Sequence, residues 1–535
     1  MSLVSFQYLV FFVVVVAFFF AVPQRFRWVY LLVASYVFYM WWDPKYAILI
    51  MTTTVTVYGT ALLMHNRPVS IKKLCVALSV AVNLGILFMF KYFAFFNNSI
   101  RDVMAFFGQT YTPPVLNLLF PVGMSFYTFQ ALSYTVDVYR GTREPERRFG
   151  MFALYVSFFP TLLSGPIERS TRLLPQLYRK VEFNYDRVVS GLILMGWGFF
   201  QKLVIADRLG QYVNMIYNQP QYFNGLPVLM AIYFLGIQVY CDFSGYTDIA
   251  IGTALVMGYE LMPNFKRPFL AASIGDLWRR WHISLISWFR DYLYIPLGGN
   301  KVSRFRWHLN TVIVFTLSGL WHGALWPLVV WGALNGVLIV ISRVTSRVRA
   351  AVRETVFGAL AKVHPAVYFT IAAIAVALTV FGKPIGLGLG GRVGTGFAAL
   401  LVLPVAVLST RKERFPRFLE GVKSALMIVI TYHLFVFGGI FFRVKSMSDG
   451  WYMLTHFWGT NFMQLPLFFD LGEFILMLLM VLLICAVNYI QERHGSIREM
   501  IRTKPWPVRW ALYYLLAISI VAGMQKTSQF IYFQF

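Results

Sequence analysis

Two histidines set in apolar, aromatic sequence are the residues best suited to chemistry in this 535-residue chain. His322 lies in Leu317-Ser-Gly-Leu-Trp-His322-Gly-Ala-Leu-Trp326, behind thirteen uncharged residues that run from Leu309 to Trp321. Ser318 stands about one helical turn before it, and Trp321 is its neighbour. A neutral imidazole with an ordinary pKa near ~6.5 is the natural general base at cytoplasmic pH. The same setting also suits a histidine that only hydrogen-bonds between two helices. Gly319 and Gly323 leave room for a ligand or for another backbone. His282, in Trp278-Arg-Arg-Trp-His282-Ile-Ser284, is the second candidate, forty residues upstream.

A third cluster is Gln238-Val-Tyr240-Cys-Asp242-Phe-Ser244-Gly-Tyr-Thr-Asp248, embedded in the apolar stretch 227–257. On a helix Gln238 and Asp242 share one face, while Ser244 and Asp248 share another. Ionisable groups inside a membrane are costly and mark functional sites by default. The cluster therefore suits the wall of an aqueous tunnel; a polar helix–helix contact is the alternative. Between it and His322 runs the basic stretch 262–299, with Lys266, Arg267, Arg279, Arg280, His282 and Arg290 among aromatic residues. Its prolines at 263, 268 and 296 exclude a single spanning helix. The apolar spacing over 274–294 predicts a helix lying in the interface or lining a cavity. The five cations could hold a phosphate-bearing ligand through charge-assisted hydrogen bonds, or could simply set orientation as cytoplasmic loops do.

The elements that must position these residues are membrane helices. The chain is 58% hydrophobic, 18% aromatic and only 13% charged. Those proportions exclude a disordered chain, a fibre, a disulfide scaffold and an ordinary nucleic-acid-binding domain. Lys and Arg number 47 against 22 Asp and Glu, and they concentrate in loops, as the positive-inside rule expects. Fourteen apolar stretches, beginning with 6–22, predict an all-α polytopic membrane protein. We expect roughly eleven to thirteen transmembrane helices, with shorter re-entrant or interfacial pieces. The stretch 6–22 has no Lys or Arg before it, whereas Arg25 and Arg27 follow. It reads as a retained first helix with the N-terminus outside the cytoplasm. Cys75, Cys241 and Cys485 have no disulfide or metal spacing, and no metal site is expected. Gly386-Leu-Gly-Leu-Gly-Gly391 matches a dinucleotide-loop pattern by letter only, with no strand before it, and is expected to be a loop between helices.

Six blocks in order resemble the membrane-bound O-acyltransferase (MBOAT) family. They are Gly123-Met-Ser-Phe-Tyr-Thr-Phe-Gln130 leading to Asp137-Val-Tyr-Arg-Gly141, Gly165-Pro-Ile-Glu-Arg169, Asp242-Phe-Ser-Gly-Tyr-Thr-Asp248, Trp278-Arg-Arg-Trp-His-Ile-Ser284, Asp291-Tyr-Leu-Tyr-Ile-Pro-Leu-Gly-Gly-Asn300 and Gly319-Leu-Trp-His-Gly323. Within the family the chain is most similar to the branch holding the membrane subunit of bacterial alginate and exopolysaccharide O-acetyltransferases.

The resemblance implies one integral membrane domain over 1–535, with N-terminal helices at 1–115, a catalytic core at 116–341 and C-terminal helices at 342–535. It implies helices around a central tunnel, His322 as the essential histidine and His282 as the second site position. It also implies acetyl-CoA as the cytoplasmic donor substrate, with no tightly bound cofactor. The acceptor lies across the bacterial inner membrane: an extracytoplasmic polysaccharide such as alginate, reached through an exported SGNH-type partner. Peptidoglycan O-acetylation and D-alanylation of teichoic acid share the same motifs. From another class, a polysaccharide or lipid transporter would explain the spans and the intramembrane aspartates. It predicts paired inverted repeats, and no second copy of the His322 or Asp242 block occurs. A non-catalytic scaffold for a polymer synthase would tolerate replacement of His322.

Overall fold

A computed structural model describes residues 1–116, 118–381, 405, 407–410, 415–458, 470–524 and 530. Among the described residues the chain is helical and holds no strand. Among the described residues, eight helices are long and apolar enough to cross a bilayer core of ~30 Å. They are Pro44–Met64, Val69–Phe106, Tyr185–Asn218, Leu226–Val256, Trp326–Val344, Phe415–Arg443, Leu471–His494 and Trp506–Gly523. A ninth results if Ser346–Leu360 and Pro365–Leu378, which meet at 88°, form one broken span.

Other expected stretches fold as shorter pieces. The first is the 16-residue helix Phe6–Ala21, about 24 Å long at its rise per residue. The apolar stretch at 151–163 breaks into Phe149–Ser157 and Phe159–Leu162, where Pro160 removes a backbone donor. The glycine-rich loop at 386–391 and most of the apolar stretch at 397–408 lie outside the described residues.

Two compact units result. The first comprises Met1–Pro268, Trp278–Val337 and Phe435–Phe535; the second comprises Phe269–Leu277 and Leu338–Leu434. In the second, Tyr368, Phe415 and Leu419 form a small apolar core. In the first, Tyr185–Phe199 and Leu226–Val256 approach closely through glycines. A Cβ on Gly198 would stand 2.6 Å from the Gly245 carbonyl oxygen, and one on Gly252 would stand 2.6 Å from that of Gly191. Small residues allow such backbone contact where no hydrophobic effect drives helices together.

That close crossing carries buried charge. Lys202 Nζ lies 2.7 Å from Asp207 Oδ1 and 2.6 Å from Asp242 Oδ1, with all three side chains at most 3% exposed. Lys202 sits in a π-helical segment, Phe200–Ala206, whose wider turn interrupts the regular ladder.

Candidate active site

His322 is the last residue of the helix Arg304–His322. His282 precedes the short helix Ile283–Phe289 as its N-cap. A core of Phe126, Phe129, Leu285, Phe289, Val314 and Trp321 holds both helices against Met124–Tyr139. Trp288 stacks on Phe129 at 3.9 Å and donates its indole N–H to the Phe129 carbonyl at 2.8 Å. This packing brings the imidazole centroids to 6.1 Å, although forty residues separate them in sequence. Both rings are buried.

Around them stand Trp321, 6.0 Å from His282 and 5.0 Å from His322, Phe243 at 4.6 Å from His282, and Trp331 and Phe442 at 5.3 and 5.5 Å from His322. Burial lowers the His282 pKa from its ordinary 6.5 to about 3. Burial also pushes the His322 imidazole down, with smaller contributions from His282 and Lys91. Both rings are thereby held neutral, the form in which imidazole accepts a proton.

The helix expected over 274–294 breaks in the middle. It runs as Ile274–Arg280, then Ile283–Phe289, then a π-helical turn over Arg290–Tyr294. His282 lies at the break with φ 43° and ψ 52°. A left-handed conformation costs a non-glycine residue ~1–2 kcal/mol, and such strain clusters at functional sites. The break is held by Asn264, whose carbonyl accepts the Ile283 N–H at 2.9 Å and whose Oδ1 accepts the Ser284 hydroxyl at 2.6 Å. Arg267, with φ 50°, is left-handed as well.

Gly319 serves a backbone rather than a ligand. A Cβ there would overlap the Leu328 carbonyl, because Trp326–Val344 packs directly against it. Ser318 and Trp321 are buried on the same helix.

A cavity of about 870 Å³ opens next to this centre. Its lining includes Tyr240, Ser244, Asp248, Asn264, Lys266 and Arg267. On one face of Leu226–Val256, Ser244 donates to Gln201 Oε1 at 2.5 Å, and Gln201 donates to Asp248 Oδ2 at 2.8 Å. Tyr240 donates to Asn488 Oδ1 at 3.1 Å. A second, apolar pocket of about 30 Å³, room for one or two water-sized groups, is lined by Trp281, Trp331 and Phe442 among others.

The expected residues therefore divide. Asp242 does not line the large cavity; it takes the helix–helix alternative, as a partner of Lys202. Gln238 lies against Gly210 of the neighbouring helix and is buried outside that cavity. Lys266 and Arg267 are the two of the five cations that line it. Arg267 and Arg280 converge on Glu492, Arg280 at 3.0 Å. Arg279 is exposed. Arg290 is exposed and pairs with Asp291 at 2.7 Å, where Arg169 also approaches at 3.8 Å.

Residues not anticipated include Lys91, Lys202, Asn264, Trp331, Phe442 and Glu168. The two lysines had a legible signal, a lone cation within or bordering apolar sequence. The others had none, since only the fold brings them to the centre.

Glu168 is fully buried beside Arg172, a residue of the cavity wall. It accepts the Met262 N–H and lies 3.9 Å from Arg172. Burial raises its pKa from its ordinary 4.5 to about 7 despite these partners. The folded state thus holds a proton that the unfolded chain releases above pH 4.5. The stability from that proton is full below pH 4.5 and is lost as pH rises through about 7. Glu168→Gln should therefore remove a falling component of thermal stability between pH 4.5 and about 7, the window set by those two values. Parallel melting curves for wild type and variant in detergent would measure it, and an unchanged difference across that range would contradict it.

Residues 148–382, which contain both histidines, match the model of the membrane-bound O-acyltransferase family. The chain carries a domain of that family. With eight long apolar helices among its described residues, the chain is a multi-pass membrane protein. Over 323 residues it is 39% identical to the probable alginate O-acetylase of Pseudomonas aeruginosa, covering 60% of this chain and 61% of that protein. It is 34% identical over 344 residues to the peptidoglycan O-acetyltransferase of Helicobacter pylori, covering 59% and 64%. It is 29% identical over 242 residues to the teichoic acid D-alanyltransferase of Bacillus subtilis, covering 43% and 60%. In each case less than two thirds of the relative's own length is covered. The MBOAT match excludes Lys91 and Phe442, so parts of the site come from helices outside it.

Proposed function

We propose that this MBOAT protein is an O-acetyltransferase of the bacterial inner membrane that takes acetyl groups from cytoplasmic acetyl-CoA for O-acetylation of an extracytoplasmic polysaccharide. The observation that carries the reading is the pairing of His282 and His322 at 6.1 Å in one buried, neutral, aromatic-walled centre. In the proposed step His322 accepts the proton of an acceptor hydroxyl as its oxygen attacks the thioester carbonyl. The C–S bond then breaks, and the leaving coenzyme A thiolate recovers that proton. An N–H of His282 stabilises the developing oxyanion, a role worth ~3–4 kcal/mol where one donor has been removed elsewhere. The 870 Å³ cavity, with Lys266 and Arg267 in its wall, suits the phosphates of coenzyme A. The small apolar pocket beside Trp331 and Phe442 favours a short acyl group.

The identity to alginate O-acetylases favours an alginate-like acceptor, and an exported SGNH-type protein would complete the transfer. The N-terminus would then lie outside the cytoplasm, following Arg25 and Arg27. Inverted membrane vesicles bearing the full chain should transfer label from radioactive acetyl-CoA to macromolecular material. His282→Asn, which tolerates the left-handed backbone, should lower that transfer ~10²–10³-fold. Label from D-alanine carried by an acidic carrier, with none from acetyl-CoA, would replace this reading with D-alanyl transfer.

The donor reading makes its own prediction. Lys266→Glu with Arg267→Glu should raise the apparent KM for acetyl-CoA, and the increase should shrink at high salt because exposed charges are screened. A KM unchanged at every ionic strength would return both residues to topology and packing.

A further inference from the structure

We propose that Lys91 is a positioning residue for His322, reaching the centre from a helix outside the MBOAT match. Lys91 belongs to the span Val69–Phe106 and lies in a π-helical turn, Phe88–Tyr92. Such turns recur at functional sites because they shift one residue out of the regular helical register. Here the shifted lysine donates from Nζ to the Trp321 carbonyl at 2.6 Å and to the His322 carbonyl at 3.1 Å.

Those two oxygens belong to the end of the helix that presents His322. Gly323 leaves the helix extended at φ −166°, and its N–H returns to Gly319 at 3.3 Å. The terminal carbonyls of a helix have no partner within it, and a cation there also complements the helix dipole. By gripping the peptides on both sides of the His322 Cα, Lys91 sets the direction of the Cα–Cβ bond and hence the place of the imidazole. It also grips the peptide that follows the Trp321 Cα, and that indole stands against both histidines.

The rest of its environment is aromatic: Nζ lies 5.3 Å from the Phe120 centroid and 5.9 Å from that of Trp321. Among the described residues no carboxylate stands within ion-pair distance of Lys91. A cation without a counter-ion in an apolar span is expensive, whereas a neutral residue would pack there at no such cost. Holding the site geometry accounts for its presence.

This inference rests on His322 being the base, so the test separates the two. Acetyl transfer from radioactive acetyl-CoA is measured in inverted vesicles for wild type, Lys91→Met, Lys91→Gln, Lys91→Arg and His322→Ala, each normalised to folded chain by fluorescence-detected gel filtration. Lys91→Met should lower kcat ~10–100-fold, the cost of a small misplacement of a catalytic group, with KM for acetyl-CoA changed by less than about twofold. Lys91→Gln keeps one donor and should fall between. Lys91→Arg keeps donors and charge and should recover most of the rate. If His322→Ala is inactive while Lys91→Met and Lys91→Gln keep the wild-type kcat per folded molecule, the inference is wrong and the site reading stands. A fall in folded yield alone, with turnover per folded molecule unchanged, also overturns it, since Lys91 is then only a structural cap. Activity retained by His322→Ala removes the site reading itself.

Discussion

Replacing His322 with alanine should abolish acetyl transfer while leaving the protein folded. General-base catalysis contributes ~10²–10⁴-fold, and this is the one imidazole at a helix end facing a second buried imidazole. The variant should fold because the ring packs edge-on against Trp331 and Phe442, aromatic groups that also contact one another at 4.9 Å. Its deletion leaves a hole rather than a broken ion pair. A cavity of that kind costs a few kcal/mol at most, and the Lys91 contacts to the Trp321 and His322 carbonyls remain because they are made by backbone. The measurement is label transferred from acetyl-CoA per folded molecule, alongside the gel-filtration profile. Transfer within tenfold of wild type would remove His322 as base. A scaffold without catalysis would predict that result.

The opposite signature is expected of Lys202. Lys202→Met should cost ~3–5 kcal/mol, because it strips the cation from two buried carboxylates and leaves them facing one another. Asp207 and Asp242 are 1% and 3% exposed and both reach Nζ within 2.7 Å, so neither can turn to water without opening the helix crossing. The glycine contacts at Gly198 and Gly245 lie within four residues of the triad and would open with it. Apparent melting temperature in detergent should drop sharply, and activity should fall only in proportion to folded protein. The triple variant Lys202→Met, Asp207→Asn, Asp242→Asn should recover part of the loss, since it removes the repulsion between the two carboxylates, although Arg443 then loses its interaction with Asp242. A Lys202→Met protein that melts with the wild type would show that the triad does not hold the crossing.

These two residues illustrate what could be read from sequence. His322 was legible because a charge-capable side chain in a long uncharged stretch has few ordinary explanations. Lys202 carried the same signal within the apolar stretch 188–205, but its meaning did not, since a lone lysine says nothing of two aspartates on its own and another helix. Asp242 shows the reverse. Its setting suited a tunnel wall equally well, and the alternatives were separated only when its neighbour across the crossing proved to be a cation. Ser244 and Asp248, predicted to share a face by spacing alone, do so through Gln201. Spacing along one helix is a local property.

The basic stretch is one unit in sequence and three in the fold. Lys266 and Arg267 line the cavity, Arg280 joins Arg267 on Glu492, and Arg290 stays outside with Asp291. The division arises at the left-handed His282, where the expected helix breaks. Histidine enters the left-handed region more readily than most residues, yet nothing in the local sequence places a break at position 282. The neighbouring Asn264 contacts hold it there.

Composition and hydrophobic length alone determined that the chain is an all-helical membrane protein, because the cost of placing backbone and charge in lipid acts on each segment independently. Short ordered motifs alone pointed to the MBOAT family. Which polar groups meet was decided only by tertiary structure: His282 with His322, Lys91 with the end of the His322 helix, and Lys202 with Asp242. Those encounters join segments from 40 to over 200 residues apart, and the free energy that selects them comes from packing between helices, which no single segment contains.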